Sequence, residues 1–177
     1  MRIQDIEFEP FIGAAEVHER ITALAEAINR DYAAKTPVFL PVLNGSFMFA
    51  ADLIRQINAA CRVSFVKISS YQGMESGGEL KTLIGHEESL FNQDLVIVED
   101  IIDSGLTLSK MINELRSLGT RSVEAVALLR KKPAREKAIE VKYVGFDIES
   151  EFVLGFGMDY NGLGRNLNEI YKAVTEV

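Results

Sequence analysis

Residues 96–107 concentrate the side chains of this sequence that could do chemistry, because an apolar segment leads there into acids and then into a hydroxyl-rich turn. Ser104 and Thr107 supply hydroxyl groups on either side of Gly105, where a helix is predicted to begin. The first N–H groups of a helix have no partner within it and lie at the positive end of its dipole. The amides of residues 103–107 and the two hydroxyls are therefore predicted to bind a phosphate group.

Acidic side chains stand beside this predicted phosphate site. Glu99 and Asp100 are expected to leave the carboxyl end of a strand, where open α/β sheets bind ligands, and Asp103 lies in the turn. The first two acids would suit uncharged groups such as the 2′- and 3′-hydroxyls of a ribose. The alternative is a strand-to-helix turn with solvated acids, but acids this close repel one another unless something binds them. The pattern indicates a site for a ribose 5-phosphate.

Length and composition are typical of a single folded domain over residues 1–177, since the hydrophobic content is 47%. The net charge of −7 argues against a sequence-independent nucleic-acid binder. Cys61 has no second cysteine to pair with, so we expect a packed thiol in a reducing compartment. The first residues do not resemble a secretion signal and no apolar run is long enough to span a membrane, so the sequence predicts a cytoplasmic protein without a membrane partner.

Hydrophobic periodicity predicts helices and strands in alternation. Helices are expected over residues 14–34, 45–57 and 107–118, and strands over 38–43, 63–69, 95–98 and 123–129. This alternation predicts an α/β fold with a parallel sheet covered on both faces. Two glycine-rich stretches, 71–85 and 153–165, interrupt it and are predicted to be functional loops.

The sequence from Glu99 to Gly105 resembles the 5-phosphoribosyl-1-pyrophosphate (PRPP) motif of the type I phosphoribosyltransferases. The chain from about residue 37 to 167 is similar to the hypoxanthine-guanine branch of that family. The resemblance implies a parallel twisted sheet flanked by helices, with a core over about 37–150. It also implies a small hood formed by the termini, that is, by the N-terminal segment and residues 151–177. The residues expected to bind PRPP in this turn are Glu99, Asp100, Asp103, Ser104, Gly105, Leu106 and Thr107.

The same resemblance assigns residues outside the turn. Asn44 and Gly45 match the loop that binds pyrophosphate through backbone amides, although many relatives carry lysine where Asn44 stands, and a plain turn is the alternative. Arg165 matches the arginine that reaches the pyrophosphate. Ser70 and Tyr71 match the pair in the mobile loop that closes over the reaction centre, so both are expected to take part in catalysis.

The purine would be held by residues further along the chain. Lys131 matches the lysine that contacts the exocyclic oxygen of a 6-oxopurine, while Arg130 and Lys132 remain alternatives for that role. By resemblance, the ring of Phe152 stacks on the base and the backbone of Val153 reads its edge. Asp159 is expected beside the purine and near a second metal ion.

The implied reaction is transfer of the phosphoribosyl group from PRPP to N9 of hypoxanthine or guanine, giving IMP or GMP in purine salvage. Mg²⁺ is the implied cofactor, with Glu99, Asp100 and Asp159 as its expected protein ligands. Asp103 is the expected general base, and His18 and His86 are read as surface residues. A homodimer or homotetramer is expected. The alternative is a regulator that keeps the same fold but binds RNA or DNA.

Overall fold

The computed structural model describes residues 1–68, 80–84, 89–132 and 140–174. The helices are α1 (Ala14–Asp31), α2 (Phe47–Ile54) and α3 (Leu106–Ser117). The strands are β1 (Arg2–Ile3), β2 (Ile6–Ile12), β3 (Val38–Leu43), β4 (Arg62–Val63), β5 (Phe65–Ile68), β6 (Leu80–Ile84), β7 (Asp94–Ile102), β8 (Ser122–Lys131), β9 (Tyr143–Ile148), β10 (Val153–Leu154) and β11 (Ile170–Ala173).

A central sheet with the strand order β6-β5-β3-β7-β8-β9 organises the described residues, and β4 pairs with one end of β3. Every pairing in it is parallel except that of β6 with β5, which is antiparallel. The carboxyl ends of β3, β7 and β8 therefore lie side by side at one edge. The predicted α/β class with a parallel sheet flanked by helices is confirmed.

The central strands are apolar on both faces because helices cover both. Leu95 and Ile97 pack with the buried residues of α3 on one face, and Val96 and Val98 pack with those of α1 and α2 on the other. Side chains alternate across a strand, so a continuous apolar run fills both cores at once. This is why the pattern predicted β3 over its full length.

Other bounds differ from the prediction. Strand β7 runs to Ile102, so Glu99 and Asp100 lie within the strand rather than beyond it, and β8 extends to Lys131. Residues 80–84, predicted to belong to a loop, form the edge strand β6. In β7 and β8, pairing with a neighbouring strand continues past the apolar run that marked the strand, and β6 forms by antiparallel pairing with β5.

A second, antiparallel sheet brings the two termini together. This hood sheet has the order β1-β2-β11-β10, and Phe8 in β2 pairs with Ala173 in β11. Ile12, Val153 and Ile170 from it join the core beneath α1 and α2. The small hood formed by the termini is thus present, and it lies next to the carboxyl end of β3. Among the described residues there is no helix with the length and hydropathy needed to cross a bilayer.

Candidate functional site

The turn between β7 and α3 leads directly into the amino-terminal end of α3. Gly105 adopts φ +75°, a conformation that favours glycine, and the Leu106 N–H donates to Ser104 Oγ at 3.4 Å. Apart from this long contact, the N-cap residue Gly105 offers no side-chain hydrogen bond to α3, and Leu106 and Thr107 are exposed. The orphan N–H groups at this helix start are therefore available to an anion.

The loop after β3 touches this part of β7 through a glycine. A Cβ on Gly45 would lie 1.8 Å from Oδ2 of Asp100, so no side chain fits there. Ser46 is fully buried and its hydroxyl donates to the Val42 carbonyl at 2.7 Å, which ties the loop to its strand. Asn44 is exposed, and the peptide bond that precedes it is cis. The predicted pyrophosphate loop and the acids of β7 are thus in direct contact.

The carboxyl groups of Glu99 and Asp100 lie in an environment that disfavours their charge. Burial, followed by the charge of Asp100, raises the pKa of Glu99 to about 8. Burial also raises the pKa of Asp100, although its backbone hydrogen bonds and the guanidinium of Arg165 oppose that shift. A cation or a hydroxyl donor next to these carboxyls would therefore relieve an unfavourable charge.

At the end of β8, the side chain of Lys131 contacts a different part of the molecule from those of Arg130 and Lys132. Lys131 Nζ lies 3.5 Å from Oδ2 of Asp103 and the side chain is 19% exposed. The two alternatives point elsewhere. They form ion pairs with acids on or just beyond β9: Arg130 with Asp147 at 2.6 and 3.0 Å, and Lys132 with Glu149 at 2.5 Å. Of the three cations that the sequence left open, only Lys131 is placed next to the turn of Asp103.

A cavity of about 220 Å³ opens between this ion pair and the hood. It is lined by Asp100, Ile101, Asp103, Lys131, Phe152, Val153, Met158 and Asp159. Ile101 and Met158 are the members that the sequence analysis missed, since an apolar residue at a strand end or in a loop gives no signal of a ligand. The structure therefore brings the predicted purine-contacting residues to one place, beside the phosphate turn.

Phe152 is an aromatic side chain at the rim of this cavity and is 44% exposed. Its ring centroid is 6.1 Å from that of Phe8, which is fully buried in β2. The ring of Tyr160 is nearly perpendicular to it, with centroids 5.6 Å apart and an interplanar angle of 84°. An open ring face supported from behind is suited to stack on a planar heterocycle.

The glycine-rich loop after β10 positions Asp159 and Arg165. Arg165 donates to the Gly157 carbonyl at 2.7 Å and pairs with Asp159 Oδ1 at 2.6 Å, while the Gly162 N–H donates to Asp159 Oδ2 at 2.6 Å. Gly157 has φ +101°, and a Cβ there would lie 2.1 Å from the carbonyl oxygen of Gly45. This contact joins the hood loop to the loop after β3, so that Arg165 lies near the predicted pyrophosphate loop.

The acids of the site suit a magnesium ion that takes most of its ligands from elsewhere. No group of three or more His, Cys, Asp or Glu side chains among the described residues could hold a metal by itself. Glu99 and Asp100 offer carboxylate oxygens, the donors that Mg²⁺ prefers, and burial raises the pKa of both, so a bound cation would favour their charged forms. Asp159 offers less, because Arg165 and Gly162 already engage both of its oxygens. Three residues named from the sequence, Ser70, Tyr71 and His86, lie outside the described residues.

Residues 13–161 match the model of the phosphoribosyl transferase domain, and the chain belongs to that family. Similar proteins within the family include hypoxanthine-guanine phosphoribosyltransferases. The one from Staphylococcus aureus strain Mu50 is 41% identical over 155 residues, which cover 87% of each protein. The bifunctional protein TilS/HprT of Listeria innocua is 38% identical over 157 residues, and the match covers 88% of this chain but 24% of that protein. A solved hypoxanthine-guanine phosphoribosyltransferase from Bacillus anthracis is 34% identical, superposes with a TM-score of 0.85, and the match covers 96% of this chain and 98% of that one.

Proposed function

We propose that this protein is a hypoxanthine-guanine phosphoribosyltransferase of purine salvage. It transfers the 5-phosphoribosyl group of PRPP to N9 of hypoxanthine or guanine and releases pyrophosphate. The observation that carries the proposal is the Lys131–Asp103 pair, 3.5 Å apart, on the wall of a cavity that adjoins the phosphate turn. A base bound in that cavity would lie beside a ribose whose phosphate is held by the turn.

The two members of this pair match one edge of a 6-oxopurine. That edge presents the O6 acceptor next to the N7 proton, and the pair presents an ammonium donor next to a carboxylate acceptor. Lys131 would donate to O6, and Asp103 would accept the proton of N7. Phe152 would stack on the base, and the backbone of Val153 would contact its far edge.

Proton transfer to Asp103 balances the reaction. As N9 forms its bond to C1 of the ribose, the bond from C1 to the pyrophosphate oxygen breaks and pyrophosphate leaves with the electron pair. The base loses its N7 proton to the carboxylate in the same process, so the product is neutral at the imidazole ring. The side chain of Asp103 is 75% exposed, which leaves it accessible to an incoming base.

The remaining assignments follow from the electrostatics of the site. The amides of residues 103–107 would hold the 5′-phosphate, and the carboxyl groups of Glu99 and Asp100 would accept hydrogen bonds from the ribose hydroxyls. Arg165 and the backbone at Asn44 and Gly45 would bind pyrophosphate. Glu99 and Asp100, joined by Asp159, would hold Mg²⁺, which neutralises the leaving pyrophosphate when bound.

Ser70 and Tyr71 are proposed to close over the reacting centre. A cationic ribosyl transition state is destroyed by water, so a lid that excludes solvent would protect it. The proposal for these two residues is supported by the resemblance of their sequence and by the open face of the cavity.

Steady-state turnover with PRPP and Mg²⁺ tests the function. Hypoxanthine, guanine, xanthine and adenine are compared as acceptors, with product nucleotides separated by chromatography. We expect IMP and GMP to form and adenine to be rejected by about 10⁴–10⁵, because its amino group would face the ammonium of Lys131 and leave that charge without an acceptor. Adenine turnover within tenfold of hypoxanthine would contradict the assignment of Lys131. No PRPP consumption with any purine, together with binding to RNA or DNA, would favour a regulator instead.

Assembly and location are further parts of the proposal. We propose a homodimer or homotetramer in the cytoplasm, supported by family membership and, for the location, by a lone thiol at Cys61. Light scattering coupled to gel filtration distinguishes the oligomeric states, and a purely monomeric enzyme would contradict the proposed assembly.

A further inference from the structure

The hairpin turn at the N-terminus is attached to the loop that carries Asp159 and Arg165. The Tyr160 hydroxyl donates to Oδ1 of Asp5 at 2.8 Å, and the Asn161 amide donates to Oε1 of Gln4 at 2.8 Å. These bonds join residues more than 150 positions apart. A segment far from the phosphate turn in sequence is therefore hydrogen-bonded to the loop that supplies Met158 and Asp159 to the cavity wall.

The ring of Tyr160 continues this contact toward the purine platform. Phe8, Phe152 and Tyr160 form a three-membered aromatic cluster, with centroid separations of 5.6–6.4 Å. Phe8 is 1% exposed and fixed in β2, whereas Phe152 is 44% exposed. Among the aromatic contacts of the described residues, Phe152 meets only the rings of Phe8 and Tyr160.

We propose that Tyr160 is a positioning residue for the purine base. Its ring, nearly perpendicular to that of Phe152, holds Phe152 against Phe8, and its hydroxyl anchors the tyrosine to the N-terminal hairpin through Asp5. The inference rests on the proposed function, because Phe152 is the platform only if a purine binds in the cavity. It adds a residue that touches neither the base nor PRPP but sets the orientation of the surface on which the base stacks.

Pre-organisation is the physical reason for this role. A half-exposed ring that turns freely must lose that freedom when a base stacks on it, and the loss weakens binding. An edge-to-face contact restrains the ring before the ligand arrives. The bonds that hold Asp159 and Arg165 run between these two residues and to the backbone of Gly157 and Gly162, and they do not involve the Tyr160 ring. Loss of the ring contact should therefore weaken binding of the base and spare binding of PRPP.

The test compares Michaelis constants in a set of variants. In Tyr160→Leu we expect the KM for hypoxanthine to rise about three- to tenfold, the range of one aromatic pair, while the KM for PRPP stays within twofold of the wild-type value. Tyr160→Phe and Asp5→Ala both remove the hydrogen bond but keep the ring, so each should show the same smaller rise. If Tyr160→Phe restores most of the affinity for hypoxanthine, the aromatic ring rather than the hydroxyl is the group that restrains Phe152.

Tyr171→Leu is the matched control, because Tyr171 is a half-buried tyrosine of the hood sheet whose hydroxyl donates to Glu169 at 3.3 Å. We expect this variant to leave the KM for hypoxanthine unchanged. An equal rise in both Michaelis constants of Tyr160→Leu, or no rise in either, would overturn the proposal. If Tyr160→Leu does not fold, Tyr160→Met fills similar space without a ring edge. Failure of both to fold would assign Tyr160 to the fold and would count against the proposal.

Nuclear magnetic resonance separates failure of this inference from failure of the proposed function. In protein with labelled phenylalanine, the Phe152 ring signals are identified by their loss in Phe152→Leu. We expect them to shift toward averaged values in Tyr160→Leu and to stay unchanged in Tyr171→Leu. Unaltered Phe152 signals in Tyr160→Leu would overturn the positioning role. A wild-type protein that converts no 6-oxopurine would instead overturn the function, whatever the ring signals show.

Discussion

The two ends of strand β7 carry buried acids in opposite situations. At the amino end, Asp94 is 3% exposed and is neutralised by the chain itself, accepting from Arg121 at 3.0 Å and from the Ser122 hydroxyl at 2.7 Å. At the carboxyl end, burial and the neighbouring charge of Asp100 both raise the pKa of Glu99, which reaches about 8. One acid has its partners built in, and the other is buried without enough compensation.

This difference separates a structural charge from a functional one. A buried carboxylate normally has an ion-pair partner and hydrogen bonds, because desolvation of an isolated charge is costly. Where the partners are present, as for Asp94, the group belongs to the fold. Where they are lacking, as for Glu99 beside Asp100, the missing charge is expected to come from a ligand. Substitutions at the two ends should therefore affect different measurements.

The largest effect is expected from Asp103→Asn in the turn after β7. The variant keeps the shape of the side chain but cannot take a proton, so kcat should fall by about 10²–10⁴ while the KM for PRPP changes little. Steady-state kinetics with hypoxanthine measures both. The thermal midpoint should not fall, because the Asp103 side chain is exposed. A near-normal kcat would show that Asp103 only shapes the turn.

Lys131→Ala should have the next largest effect. Losing a hydrogen bond from a charged donor to O6 should lower kcat/KM for hypoxanthine by about 10- to 100-fold and narrow the gap to adenine. Lys132→Ala is the matched control, since Lys132 is exposed and paired with Glu149. A competition assay with hypoxanthine and adenine in the same reaction measures the ratio of their kcat/KM values directly. Equal effects of the two substitutions would place the purine contact elsewhere.

The sequence predicted best those features that depend on local pattern. The apolar run of β3 defines a strand buried on both faces, and Gly119 ends α3 in a left-handed conformation with φ +73° after its N–H bonds to Arg116. In the turn after β7, Gly105 has φ +75° immediately before α3, at the helix start that the sequence indicated, while phosphate binding by this turn stays a prediction.

The sequence predicted poorly those features that depend on distant partners. Strand β6 is stabilised by pairing with β5, and its polar, glycine-rich surroundings conceal it. The choice of Lys131 over Lys132 depends on which cations meet Asp147 and Glu149, and these acids lie on or just beyond β9, more than ten residues further along the chain. Phe8 gave no signal as part of the site, since a buried aromatic residue in a strand is usually core.

A smaller effect, now on stability, is expected from Arg121→Ala at the amino end of β7. Of the two side chains that donate to the buried Asp94, the substitution removes Arg121 and leaves Ser122. The free energy of unfolding should therefore fall by about 1–3 kcal/mol. Urea denaturation measures it, and kcat should not change. Arg55→Ala, which breaks an exposed pair with Asp52, should cost less than about 0.5 kcal/mol. A loss of activity in folded Arg121→Ala would contradict the division between the two ends.

The smallest effect is expected from Glu99→Gln, and its sign is opposite. The pKa of Glu99 is raised from 4.5 to about 8, so the folded protein binds this proton more tightly than the unfolded chain does. Unfolding then releases a proton between these pH values, and stability falls as pH rises from about 4.5 to 8. The substituted amide does not titrate, so the metal-free variant should be more stable than the wild type at pH 8, by about 1–2 kcal/mol, since relaxation around the buried charge of the wild type reduces the full penalty.

Urea denaturation in a chelator at pH 5, 6.5 and 8 measures this difference. The gap between the variant and the wild type should widen with pH, whereas Glu149→Gln, at an exposed acid paired with Lys132, should show no such widening. Mg²⁺ at millimolar concentration should stabilise the wild type at pH 8 more than Glu99→Gln, because a bound cation supplies the charge that the fold omits. A gap that is independent of pH would mean that Glu99 is compensated within the protein, as Asp94 is, and the contrast between the two ends of β7 would fail.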